Sequence, residues 1–217
     1  MAIICGIDEA GRGPVVGPLV IAAVTIDADD EKKLKQLGVK DSKDLTPRQR
    51  EDMFEKIKEI VKAHKIEILL PSDVDAALDT EGTNLNWLEA DTSIDLINAL
   101  KPDKALLDCP SNNINAYNDY VKEKLKVNCE VISEHKADEK YPVVSAASIL
   151  AKVTRDREIF KIQQFVDGEL GSGYPADPIT KKFLEENYMK YPEIFRRTWA
   201  SYKNVVKAKD QKKLGEF

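Results

Sequence analysis

The stretch Gly6-Ile7-Asp8-Glu9-Ala10-Gly11-Arg12-Gly13-Pro14 closes an apolar run that begins at Ile3 and opens onto a second, Val15 to Ile26. Valine and isoleucine are prominent in both. Ile3 to Asp8 therefore reads as a short buried strand and Val15 to Ile26 as a longer one. The glycines between them predict a tight hairpin, because glycine adopts positive φ at no steric cost. Asp8 and Glu9 cannot both continue the buried pattern, since strand side chains alternate between faces. For an isolated Asp-Glu pair the ordinary reading is a turn or cap.

Working outward, Thr46-Pro47-Arg48-Gln49 is a capping-box start with proline at the first helical position. Met53, Phe54, Ile57, Ile60 and Val61 then keep helical spacing to about Lys65. Ile66 to Leu70 reads as a strand stopped by Pro71, and Asn84 to Leu100 as a helix ended by Lys101-Pro102. Next come a strand from Lys104 to Asp108, a helix from Asn115 to Leu125, a strand from Val127 to Ser133 and a helix from Ser145 to about Phe165. Early strands followed by strand–helix alternation give an α/β protein, a mixed sheet flanked by helices. Gly168 to Pro178 is a turn-rich break before helical patterns at Ile179 to Tyr191 and Phe195 to about Lys209. The expected division is a main domain over 1–170 and a helical C-terminal extension over 171–217.

The 217 residues are 42% hydrophobic and 33% charged, enough for a sizeable core and unlike a disordered chain. No stretch approaches the roughly 20 apolar residues of a membrane span, and nothing at the N-terminus reads as an export signal. Three cysteines, Cys5, Cys109 and Cys129, make neither a disulfide framework nor a CxxC zinc pair. These features predict a soluble cytoplasmic protein. The net charge of −5 argues against a polyanionic partner, but it is unevenly spread. Residues 1–140 hold 19 basic and 28 acidic side chains, whereas residues 141–217 hold 14 and 10. Arg196, Arg197, Lys203, Lys207, Lys209, Lys212 and Lys213 crowd the tail, which permits a polyanion there.

Ala105-Leu106-Leu107-Asp108 is a second apolar strand that ends in a carboxylate. In α/β sheets functional side chains gather at such strand ends. His135-Lys136-Ala137-Asp138 adds another acid in the loop after a third strand. Three strand ends thus deliver Asp8, Glu9, Asp108 and Asp138. Converging carboxylates about 4 Å apart repel by roughly 4 kcal/mol per pair at an effective dielectric of 20, unless a proton or cation intervenes. Oxygen donors without His or Cys favour Mg²⁺ or Mn²⁺ over zinc, provided the acids do converge. Gly11-Arg12-Gly13 is not a dinucleotide fingerprint, because a strand rather than a helix follows Pro14. Small residues around Arg12 suit phosphate or ribose contact. Ser42 and Lys43, in the loop before the capped helix, could hold a phosphate, although ordinary loops use the same residue types. Tyr174, in Gly171-Ser172-Gly173-Tyr174-Pro175, could stack on a base or sugar. His64 and His135 lack partners at ligand spacing.

Four segments in chain order, GIDEAGRGPVVGPLV, GVKDSKDLT, EHKADEKYPVVSAASILAKVTRD and GSGYPADP, together resemble type 2 ribonuclease H (ribonuclease HII). The third is closest in form to the archaeal and eukaryotic branch. The resemblance spans nearly the whole chain and implies a ribonuclease H-like fold, a five-stranded mixed sheet with helices on both faces. It also implies that Asp8, Glu9, Asp108 and Asp138 are the catalytic, metal-binding acids. Gly11, Arg12 and Gly13 would contact the 2′-hydroxyl at an RNA–DNA junction, and Tyr174 would sense the junction. Ser42 and Lys43 match a phosphate-contacting loop, and Lys152 and Arg155 match basic residues near the substrate backbone. The implied activity is endonucleolytic, on RNA/DNA hybrids and on the 5′ side of ribonucleotides embedded in duplex DNA. Two ions, Mg²⁺ or Mn²⁺, would serve it and leave 3′-hydroxyl and 5′-phosphate ends. A monomer is the default expectation, and the peptide Gln211 to Phe217 only suggests a sliding-clamp contact.

Overall fold

A computed structural model describes residues 1–39 and 45–214, with side chains given as far as residue 211. The strands are β1 Ile3–Ala10, β2 Leu19–Asp27, β3 Ala63–Leu69, β4 Lys104–Asp108 and β5 Glu130–Glu134. The α-helices are α1 Glu31–Leu37, α2 Pro47–Ile60, α3 Pro71–Leu78, α4 Leu85–Leu100 and α5 Ile114–Lys124. They continue with α6 Ala137–Lys140, α7 Pro142–Phe165, α8 Pro178–Asn187 and α9 Ala200–Leu214. None of the helices among the described residues is long and apolar enough to cross a membrane.

The chain divides into two units. The first comprises Met1–Ala10, Val20–Ile68 and Asn84–Arg155; the second comprises Gly11–Leu19, Leu69–Thr83 and Asp156–Phe217. This differs from a cut at residue 170. Val15 and Val16 pack with Phe183, Leu184 and Phe195, so an N-terminal loop belongs to the C-terminal unit.

In the first unit the five strands lie in the order β3-β2-β1-β4-β5, the mixed sheet expected. β1 runs antiparallel to β2 and parallel to β4, and β4 runs parallel to β5. Every residue of β2 but the last is buried, as a strand covered on both faces requires. Val20, Ala22, Val24 and Ile26 share one face and pack with Phe54 and Ile57 of α2 and with Val143, Val144 and Ala147 of α7. At α2 the expected capping box forms. Thr46 Oγ1 accepts from Gln49 N–H at 3.3 Å, and Gln49 Oε1 accepts from Thr46 N–H at 2.9 Å.

Several boundaries moved. β2 begins at Leu19 rather than Val15, because Gly17 takes φ +80° and Val16 bridges Phe195 instead of extending the strand. The connection from β1 to β2 is therefore an eight-residue excursion, not a tight hairpin. α2 ends at Ile60 and β3 starts at Ala63. Pro71 does not merely stop β3: it opens α3, where the Asp73 carboxylate accepts from Leu70 N–H at 2.8 Å.

Candidate active site

Asp8 lies near the carboxyl end of β1 and Asp108 ends β4. The parallel register sets Ile7 beside Leu107, so the next residues, Asp8 and Asp108, stand level on one face of the sheet. The same register pairs Asp108 with Glu134 on β5. Asp8 is 6% exposed, whereas Glu9 and Asp108 are half-buried. Burial, then the charges of Glu9 and Asp108, push the Asp8 carboxyl well above the usual carboxylate range, against the opposing hydrogen bond from Ser148.

Asp138 was expected in a loop and instead lies on the short helix α6, entered through Lys136 at φ +57°. That helix is tied directly to β4, because Ala137 N–H donates to Asp108 Oδ1 at 3.0 Å. Ser145 of α7 donates through its hydroxyl to the Asp138 carbonyl. The β4 and β5 ends are joined by Cys109 N–H to the Glu134 carbonyl at 2.9 Å and by His135 Nδ1 against the Cys109 carbonyl at 2.9 Å. His135, which the sequence allows to be structural or peripheral, is structural: it braces the strand end that carries Asp108.

Two neighbours had no signal in the sequence. Ser148 of α7 bonds Asp8, and Glu89 of α4 is 2% exposed. Glu89 and Glu9 both hold the Tyr117 hydroxyl and the Cys109 thiol above their ordinary values, after the larger effect of burial. A glutamate inside an amphipathic helix looks like any solvated one until the fold buries it.

The donor chemistry around Asp8 fits a hard divalent cation: the acids supply only oxygen, and like charges are crowded where water is scarce. As the side chains stand, no three Asp, Glu, His or Cys residues gather into a set that could hold one ion, among the described residues.

In the same unit Lys152 is half-buried and Arg155 is 3% exposed. Arg155 is therefore packed inside rather than presented to solvent, contrary to the expectation that it lies along a substrate backbone. Ser42 and Lys43 lie outside the described residues.

The second unit holds the remaining expected residues. Gly11 takes φ +92°, Gly13 is exposed, and a Cβ at Gly13 would come within 3.2 Å of Tyr174 Cε1. The Tyr174 ring thus lies against Gly13 while 47% of the residue stays exposed. Its loop is fixed by Val15 N–H donating to the Gly173 carbonyl at 2.9 Å and by Gly173 N–H donating to Thr180 Oγ1 at 2.9 Å. Asp177 caps α8 through Ile179 N–H and also accepts from Ser172 N–H at 2.7 Å. The Ser172 hydroxyl first, and then these N–H groups, draw its carboxyl down to about 2. Arg196, grouped from sequence with the basic residues of the tail, is 0% exposed.

The ribonuclease HII family profile matches residues 5–202. The chain is 48% identical to the ribonuclease HII of Thermococcus sibiricus, with 98% of this chain and 96% of that protein covered. The crystal structure of ribonuclease H2 from Pyrococcus horikoshii OT3 has TM-score 0.88 at 44% identity, covering 95% of this chain and 98% of that one. A ribonuclease HII from Archaeoglobus fulgidus, solved in a complex with PCNA, has TM-score 0.83 at 38% identity, covering 93% and 96%. Bst-RNase HIII, solved in complex with Mn²⁺, has TM-score 0.77 at 22% identity, covering 95% and 70%, a likeness of fold alone. Sheet order and family match agree: the chain belongs to the ribonuclease HII family, hydrolases that act on the RNA of RNA/DNA hybrids.

Proposed function

We propose that the chain also incises duplex DNA on the 5′ side of a single embedded ribonucleotide. In this reading Asp8, Glu9, Asp108 and Asp138 carry the hydrolysis, while Gly11, Arg12, Gly13 and Tyr174 select the site. The observation that carries it is the half-exposed Tyr174 ring against Gly13, an aromatic face beside backbone that has no side chain of its own. Such a face stacks on a sugar or base, and the neighbouring peptide groups meet the 2′-hydroxyl, the group that distinguishes RNA from DNA at one nucleotide.

Two divalent ions, Mg²⁺ or Mn²⁺, would be held by the four acids and would supply a water acidic enough to attack at neutral pH. Asp8, Glu9 and Asp108 present carboxyl oxygen at two strand ends and Asp138 presents it from α6, and Ser148 and Ala137 N–H orient Asp8 and Asp108. Attack on the phosphodiester leaves a 3′-hydroxyl and a 5′-phosphate. Ser42, Lys43 and Lys152 are proposed to meet the substrate backbone. A role in removing ribonucleotides during DNA replication and repair follows from that substrate. A sliding clamp is a candidate partner, supported by the Archaeoglobus fulgidus complex alone.

The test is Tyr174→Ala against two substrates, a DNA duplex with one ribonucleotide and a long RNA/DNA hybrid, each with Mg²⁺ and with EDTA. Cleavage of the first should fall at least about fivefold more than cleavage of the second, since base–aromatic stacking contributes about 1–3 kcal/mol. Equal losses would remove Tyr174 from site selection, and cleavage in EDTA would remove the ions.

A further inference from the structure

Arg196 is a cation with no exposed surface, and burying a charge is costly unless hydrogen bonds compensate it. Its guanidinium is turned onto the β1–β2 excursion. Nε donates to the Gly17 carbonyl at 3.0 Å, Nη1 to the Arg12 carbonyl at 3.1 Å and Nη2 to the Gly11 carbonyl at 2.6 Å. One turn on, Trp199 Nε1–H donates to the Gly13 carbonyl at 3.1 Å, and the guanidinium carbon lies 4.8 Å from the Trp199 ring. The Arg196 backbone N–H donates to the Val15 carbonyl at 2.9 Å. The carbonyls of three consecutive residues, Gly11, Arg12 and Gly13, are thus gathered by one side-chain pair.

Extended backbone points successive carbonyls to opposite sides, so this convergence is imposed. Satisfying the carbonyls does not require it, because Gly13 is exposed and Gly11 and Arg12 are half-buried, where water would serve. What the pair adds is direction. In a trans peptide the C=O of one residue is anti to the N–H of the next. Turning the Gly11 and Arg12 carbonyls toward Arg196 turns the N–H groups of Arg12 and Gly13 the opposite way. The geometry points to Arg196, with Trp199, as the positioning pair that aims these two N–H donors at the ribose 2′-hydroxyl. This rests on the reading of the loop given above. Lysine cannot substitute, because a point charge does not span carbonyls that a planar fork spans. The sequence FRRTW thus serves recognition from the inside, while Arg197 next to it faces solvent.

The experiment measures, in EDTA so that nothing is cut, the affinity of the full chain for a duplex with one ribonucleotide and for the same duplex in all-DNA form. Wild type should prefer the first by about fivefold, the worth of one ordinary hydrogen bond. Trp199→Phe keeps an aromatic ring for the guanidinium and removes the N–H, and should lower that ratio. Arg196→Lys should bring it to about one, with all-DNA affinity unchanged; a merely structural role would weaken both duplexes together. If Arg196→Lys does not fold, Trp199→Phe decides. A wild type that binds both duplexes equally overturns the hydroxyl reading and the pair's role with it. A wild type that discriminates, with variants that fold and keep its ratio, overturns the pair alone.

Discussion

At the scale of the residue, Asp8 is a carboxyl group held where its charge is disfavoured. Burial acts first, then Glu9 and Asp108. Because its folded value is raised, the folded chain keeps the proton to higher pH than the unfolded chain does. Stability that is full below the ordinary aspartate range is lost as pH rises through the raised value. Asp8→Asn removes that loss together with the charge proposed to serve catalysis. In EDTA at pH 7 the variant should melt at least about 3 °C above wild type, the equivalent of about 1 kcal/mol in a chain this long. The gain should shrink as the pH is lowered toward 4, where wild-type Asp8 is protonated as well. Cleavage with Mg²⁺ should be abolished. A thermal melt at both pH values and one cleavage assay check this. A variant that melts at or below wild type at pH 7 would show that the Asp8 charge is not disfavoured by its surroundings.

At the scale of the element, the start of α7 lies against β1 at a point only glycine allows. A Cβ at Gly6 would sit inside contact distance of the Val143 backbone carbon and oxygen and 2.5 Å from Val144 N. Those atoms belong to a helix backbone and cannot swing aside as a side chain would. The helix also carries Ser148 to Asp8 and Ser145 to the Asp138 carbonyl, so displacing it would disturb two acids at once. Gly6→Ala should cost about 3 kcal/mol, as overpacking of a tight core does, and cleavage should fall even where the chain stays folded. Gly38 is the control. It takes φ +83° with nothing within 4 Å of an added Cβ, so Gly38→Ala meets only backbone strain, about 1–2 kcal/mol. Urea melts of the two variants give the comparison, and equal losses would mean that the helix tolerates the added methyl.

At the scale of the whole molecule, acidic and basic residues are segregated along the chain, with the basic excess after residue 140. Arg196 does not belong to the solvated part of that excess, whereas Lys203, Lys207 and Lys209 are exposed along α9. If these three grip phosphates, replacing them with alanine should flatten the dependence of log affinity on log salt by about 0.9 for each phosphate no longer neutralised. Titrations of a duplex with one ribonucleotide at several salt concentrations measure the slope. An unchanged slope would assign the grip to other residues.

The sequence alone determined the parts whose signals are local. β4 has the bounds read from Lys104-Ala-Leu-Leu-Asp108, and α2 has the capping box read from Thr46 and Gln49, because capping and strand apolarity act over a few residues. It also singled out Asp8 and Asp108, which β1 and β4 carry at neighbouring ends, since a carboxylate closing an apolar strand is visible without a structure. Tertiary contacts decided the rest. Val15 and Val16 are as apolar as any strand residue, yet they leave β2 to pack with Phe195. Arg196 and Arg197 are adjacent and chemically identical, yet one is buried on backbone carbonyls and the other is exposed. Burial is set by what the rest of the chain brings alongside, and no local pattern carries that information.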